Sequence, residues 1–107
     1  MQRVGFRLQL KMETLPAYIE HHESVWPEML AALRSHGWHN YSLFLDQTDG
    51  TLFGYFETPN LEQALEGMAS EEVNSRWQAT MAPYFESLGN RRPDEGFLVL
   101  RNVFFLA

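Results

Sequence analysis

Apolar and polar residues alternate at the start of the chain. Val4, Phe6, Leu8 and Leu10 are separated by Gly5, Arg7 and Gln9, so Arg3 to Lys11 reads as a half-buried strand. The period then changes. Leu15, Tyr18, Ile19, His22, Val25, Trp26, Met29 and Leu33 fall at helical three-and-four spacing, the stripe an amphipathic helix turns toward a core. Glu20, His21, Glu23, Glu28 and Arg34 occupy the opposite, wet side. Pro27 cannot donate to the preceding turn. The spacing therefore predicts a kink near residues 22–24, or two helices with Ser24 capping the second.

Gly37 is the expected cap at the end of this helical region. Asn40 to Asp46 and Thr51 to Glu57 read as two strands joined by Gln47-Thr48-Asp49-Gly50, whose Asp-Gly pair is a hairpin signal. Pro59-Asn60 stops the second strand, and Asn60 with Gln63 has the form of a capping box for a short helix. Ser70-Glu71-Glu72 reads as the start of another helix, running to about Phe85. Gly89 to Gly96 reads as a polar loop, and Phe97 to Leu106 as a final strand.

The order strand, helix, two-strand hairpin, helices, strand is the βαββαβ ferredoxin-like plan, an α+β fold with an antiparallel sheet and helices on one face. Its other face is left uncovered, yet the strands are apolar on more than one side, as in Leu43-Phe44-Leu45 and Val103-Phe104-Phe105-Leu106. Apolar surface of that extent marks an interface, so a homodimer formed face to face is expected. The C-terminal run could also pair with or cross to the partner.

Composition narrows the function. The 107 residues fit one domain, 45% hydrophobic and 14% aromatic, so the chain is globular. Fourteen acids against eight Lys and Arg give a net charge of −6, which argues against nucleic acid or an anionic membrane as partner. The absence of cysteine excludes disulfides, thiolate nucleophiles and cysteine metal sites. The first residues alternate and carry charge, unlike a signal peptide, and no apolar run nears the roughly 20 residues of a membrane span. The expectation is a cytoplasmic protein.

Among the candidate chemical groups His22 stands out, because a burial-only stripe would carry Leu there. An imidazole titrates closest to neutrality and transfers protons at modest cost. A core histidine bonded to a backbone carbonyl fits the same position. His39-Asn40-Tyr41 and Arg76-Trp77-Gln78 form two further polar-aromatic clusters; read alone, the first fits ordinary strand aromatics and Trp77 a plain core residue. The four histidines lack metal-ligand spacing, the seven glycines form no phosphate loop, and no serine occupies a nucleophile elbow. No cofactor is expected. The remaining imidazole, phenol, indole and amide groups suit a small neutral polyol and proton transfer.

Tyr18 with His22, Val25-Trp26-Pro27-Glu28, Ser35-His36-Gly37, His39-Asn40-Tyr41, Leu45-Asp46 and Arg76-Trp77, in that order, resemble the L-rhamnose mutarotase family over nearly the whole chain. The resemblance implies a ferredoxin-like dimeric α/β-barrel protein of the cytoplasm that interconverts the anomers of L-rhamnose. It implies His22 as proton donor and Tyr18, Tyr41, Trp77 and Gln78 as sugar contacts. One departure is Arg76-Trp77-Gln78, where some members show adjacent tryptophans. Two other classes stay open on this fold: a cofactor-free or haem-dependent monooxygenase, and a non-catalytic sugar-binding module.

Overall fold

The computed structural model describes residues 1–86 and 91–107. Strand β1 (Gln2–Gln9) leads through a 3-10 turn at Met12–Thr14 into α1 (Leu15–Glu23) and α2 (Pro27–Ser35). Strands β2 (His39–Asp46) and β3 (Thr51–Thr58) follow, then α3 (Leu61–Ala69), α4 (Glu72–Met81), a 3-10 turn at Ala82–Tyr84, one helical turn α5 (Pro93–Gly96) and β4 (Leu98–Leu100). The sheet order is β2-β3-β1-β4, with every neighbouring pair antiparallel. That is the expected ferredoxin-like α+β architecture.

The strand register divides the side chains between two faces. Leu43, Gly54, Phe6 and Val99 make one row across the sheet, and Leu45, Leu52 and Leu8 the next. These residues face the helices, with Phe56 and Leu52 among the most completely buried side chains. Full burial of one such side chain contributes on the order of 1.5–3 kcal/mol. The rows between them hold Phe44, Phe53, Arg7 and Leu98, then Ser42, Tyr55, Gly5 and Leu100. Phe44, Phe53, Leu98 and Leu100 are exposed on this outer face.

Local chemistry sets the element boundaries. The hairpin turns as expected, with Gly50 at a positive φ of 79° and its N–H bonded to the Asp46 carbonyl at 2.9 Å. Asn60 Oδ1 accepts from the Gln63 N–H at 3.0 Å and caps α3. The reciprocal half of the capping box is replaced, because the Asn60 N–H donates to Thr58 Oγ1 at 3.3 Å.

Several boundaries differ from the sequence expectation. Ser24 closes α1 instead of capping α2; Pro27 is the first residue of α2, where its missing N–H costs nothing, and Trp26 takes the preceding extended position. Ser70 ends α3, and Glu71 precedes α4. Helix α4 stops at Met81 because Pro83 tightens the next turn into 3-10 geometry before Phe85 turns extended. β1 ends at Gln9, after which Leu10 forms a single bridge to Phe85. Of the expected loop from Gly89 to Gly96, residues 89–90 lie outside the described residues and Pro93–Gly96 form a helical turn. The final strand covers only Leu98–Leu100, since pairing with β1 is confined to Gly5, Phe6 and Arg7. Residues 101–107 are exposed and irregular, with the Arg3 guanidinium 3.5 Å above the Phe105 ring.

Candidate active site

The break between α1 and α2 leaves the last turn of α1 beside α4. His22 lies in that turn, half-buried. Its ring packs on the Tyr18 ring, centroids 4.2 Å apart, and meets the Trp77 indole edge-on at 5.4 Å. Trp77 in turn meets Trp26 edge-on at 4.9 Å. Tyr18 from α1 and Trp77 from α4 thus flank one imidazole.

Nδ1 of His22 lies 2.9 Å from the Tyr18 carbonyl oxygen. A carbonyl oxygen can only accept, so Nδ1 carries the proton and the neutral ring keeps its lone pair on Nε2. No described residue occupies Nε2. Burial holds the His22 pKa below its ordinary value of 6.5. The Tyr18 carbonyl opposes that shift, and repulsion from His21 adds to it. His22 is therefore neutral at pH 7 and presents a base. The Tyr18 phenol is pushed upward, first by burial and then by the charge of Tyr41, so it stays protonated as a hydrogen-bond donor.

A cavity of about 920 Å³ lies between the helices and the inner sheet face, near the upper end of the range for small-molecule sites. Tyr18, His22, Tyr41, Trp77 and Gln78 all line it, so the five residues singled out from sequence converge on one space. The apolar remainder of the wall includes Phe6, Leu8, Leu43 and Leu52 from the sheet.

Tyr41 reaches the cavity through a β-bulge. Between His39 and Ser42, β2 spends three steps against two on β3, and Asn40 takes a left-handed φ of 49°. The extra residue moves Tyr41 onto the inner face, where its ring meets Trp38 at 5.1 Å and Phe56 at 5.9 Å. Asn40 itself bonds Glu57 at 3.1 Å on an exposed edge, and neither it nor His39 lines the cavity. On the next strand Gly54 is required: a Cβ there would lie 2.1 Å from the Phe6 ring, which crosses it to form the floor.

Two features escaped the sequence reading. Asn74, 1% exposed, lines the cavity on α4 and bonds Gln78. Its signal was its place on the inward stripe with Val73, Trp77 and Met81. His21 is not simply on the wet side: it is half-buried, with Nε2 3.1 Å from the Tyr84 hydroxyl. Among the described residues no group of three or more His, Asp or Glu could hold a metal ion, and no helix is long and apolar enough to cross a membrane.

A model of the L-rhamnose mutarotase family matches residues 3–106. The L-rhamnose mutarotase of Bacillus subtilis is 36% identical over 106 residues, which is 99% of each chain. The crystal structure of L-rhamnose mutarotase FA22100 from Formosa agariphila superposes with a TM-score of 0.81 at 27% identity, covering all of both chains. An antibiotic biosynthesis monooxygenase superposes with a TM-score of 0.58 at 22% identity, covering 96% of this chain and 99% of that one. That last likeness is one of fold.

Proposed function

The chain belongs to the L-rhamnose mutarotase family, and from that premise we propose that it interconverts the α and β anomers of L-rhamnose by proton transfer at His22. The observation that carries the mechanism is the bond from His22 Nδ1 to the Tyr18 carbonyl, which leaves Nε2 as a lone pair on a cavity-lining residue. Nε2 takes the proton of the anomeric hydroxyl as the bond from the anomeric carbon to the ring oxygen breaks. The imidazolium so formed donates its proton to the departing ring oxygen. The base of one half-step is thus the proton donor of the other, and no net proton is consumed. Rotation about the bond to the aldehyde carbon presents its other face, and the reverse transfers close the ring. General acid–base catalysis contributes on the order of 10²–10⁴-fold.

In this reading Tyr18, Tyr41 and Gln78 hold hydroxyls and Trp77 offers an apolar wall to the sugar's C–H face. The cavity is also lined by the exposed Glu23, Glu66 and Glu95, but its enclosed polar groups, Asn74, Gln78 and a protonated Tyr18, are uncharged, which supports a neutral polyol substrate. The reading takes residues 1–107 as one domain acting in the cytoplasm as a homodimer. The exposed outer sheet face, with Phe44, Phe53, Leu98 and the exposed Phe104 and Leu106 of the C-terminal segment, supports the dimer.

Saturation-transfer NMR on L-rhamnose and several other aldoses tests the reaction. Accelerated exchange between the L-rhamnose anomers, stronger than for the other sugars, is expected. Binding of L-rhamnose without faster exchange would make the protein a sugar-binding module instead.

A further inference from the structure

Resting on the proposed sugar reaction, we propose that Asn74 is a specificity-determining positioning residue. It pins the Gln78 amide so that the cavity is offered an acceptor, Oε1, for one hydroxyl of the sugar.

Hydrogen-bond polarity is handed along a chain of three groups. It begins at the Met68 carbonyl, near the end of α3, which also takes the Glu71 N–H at 3.1 Å. A carbonyl oxygen only accepts. The Asn74 amide bonds it at 2.9 Å and must therefore turn Nδ2 toward it. That places Asn74 Oδ1 on the other side, where only a donor is tolerated. Gln78, one helical turn on, supplies Nε2 at 3.0 Å. Both bonds are buried, and both residues are nearly enclosed, at 1% and 9% exposure. With one N–H of Nε2 held by Asn74, the end of the amide that faces away from Asn74 is Oε1, an acceptor to which no described residue donates. Gln78 lines the same cavity as His22.

An unassisted glutamine could turn either end of its amide to the cavity and accept or donate. Here one backbone carbonyl decides the matter two residues away. The site then asks for a hydroxyl that gives its proton, and a bound sugar lacking that donor leaves a buried acceptor unpaired.

The test uses inhibition of L-rhamnose anomer exchange by analogues in which each non-anomeric hydroxyl is replaced in turn by hydrogen or by fluorine. Fluorine cannot donate. At one position both analogues are expected to bind the wild-type protein at least roughly fivefold more weakly than the parent sugar, and Gln78→Leu is expected to remove that loss. Asn74→Leu frees the amide to turn, so it should bind the fluoro analogue better than the hydrogen analogue at that position. Kinetically, Asn74→Leu should raise KM while leaving kcat nearly unchanged, and add nothing to KM in a Gln78→Leu background. Multiplicative losses in the double variant would overturn the positioning role. So would a wild-type protein that binds the fluoro analogue as well as the parent at the Gln78-dependent position, an arm that stands even where Asn74→Leu does not fold. Absence of L-rhamnose exchange in the wild-type protein would remove the underlying reaction instead, and is read first.

Discussion

The carbonyl oxygen of Tyr18 lies 2.9 Å from Nδ1 of His22, one helical turn further along α1. The same residue stacks its ring on the imidazole at 4.2 Å. Tyr18 thus controls His22 twice, through its backbone, which selects the tautomer, and through its ring, which removes water and lowers the pKa. That carbonyl is also the i−4 acceptor of the His22 N–H within α1, so the backbone and the imidazole of one residue share its two lone pairs.

Activity should follow the titration of His22. Protonation occupies Nε2 and removes the base. Because the pKa is lowered from 6.5, the imidazole stays neutral into mildly acidic solution. The pH profile of kcat/KM for L-rhamnose exchange is expected to be flat around neutrality and to fall with acid through a midpoint below 6.5. A midpoint at or above 6.5 would contradict the burial argument.

Gly54 should not accept a side chain. Its missing Cβ is occupied by the Phe6 ring at 2.1 Å, and Phe6 also packs on Phe97 at 4.5 Å. Gly54→Ala is expected to destabilise the fold by about 1–3 kcal/mol and to weaken catalysis by tilting the cavity floor. Urea unfolding gives the first quantity; an unshifted midpoint would refute the close approach.

The bulge at Asn40 predicts a contrast between two substitutions. Glycine tolerates a φ of 49° and valine does not. Asn40→Gly should change stability by less than about 0.5 kcal/mol, with KM for L-rhamnose near wild type. Asn40→Val should cost about 1–2 kcal/mol and raise KM, because Tyr41 would lose its inward aim. Equal effects of the two would argue against the bulge as the device that places Tyr41.

Much of this was legible in the chain. Period-two and period-3.6 patterns gave the order of elements, Asp49-Gly50 gave the hairpin, and a titratable residue on the apolar stripe gave His22. What was not legible depended on partners distant in sequence. Ser24 and Ser70 both look like helix starts, but the Pro27 ring and the short connection from α3 to α4 decide the true boundaries. β4 is short because the chain leaves the β1 edge after Leu100, although β1 extends back to Gln2, and the apolar run that continues to Leu106 does not reveal that departure. The role of Asn74 emerges only once the Met68 carbonyl is known to lie beside it.

The uncovered sheet face predicts self-association. Phe44 and Phe53 are paired neighbours on it, 63% and 42% exposed. Phe44→Glu with Phe53→Lys should turn a dimer into a monomer in sedimentation experiments, and removal of residues 103–107 should weaken it. A wild-type monomer at micromolar concentration would contradict the homodimer.

In the proposed reaction His22 moves the protons. Saturation transfer between the anomers of L-rhamnose, with wild-type protein and His22→Ala at equal concentration, measures it most directly. The rate for the variant is expected to fall by roughly 10²–10⁴-fold, with its circular dichroism and sugar binding retained. Undiminished exchange in a folded His22→Ala protein would contradict the account.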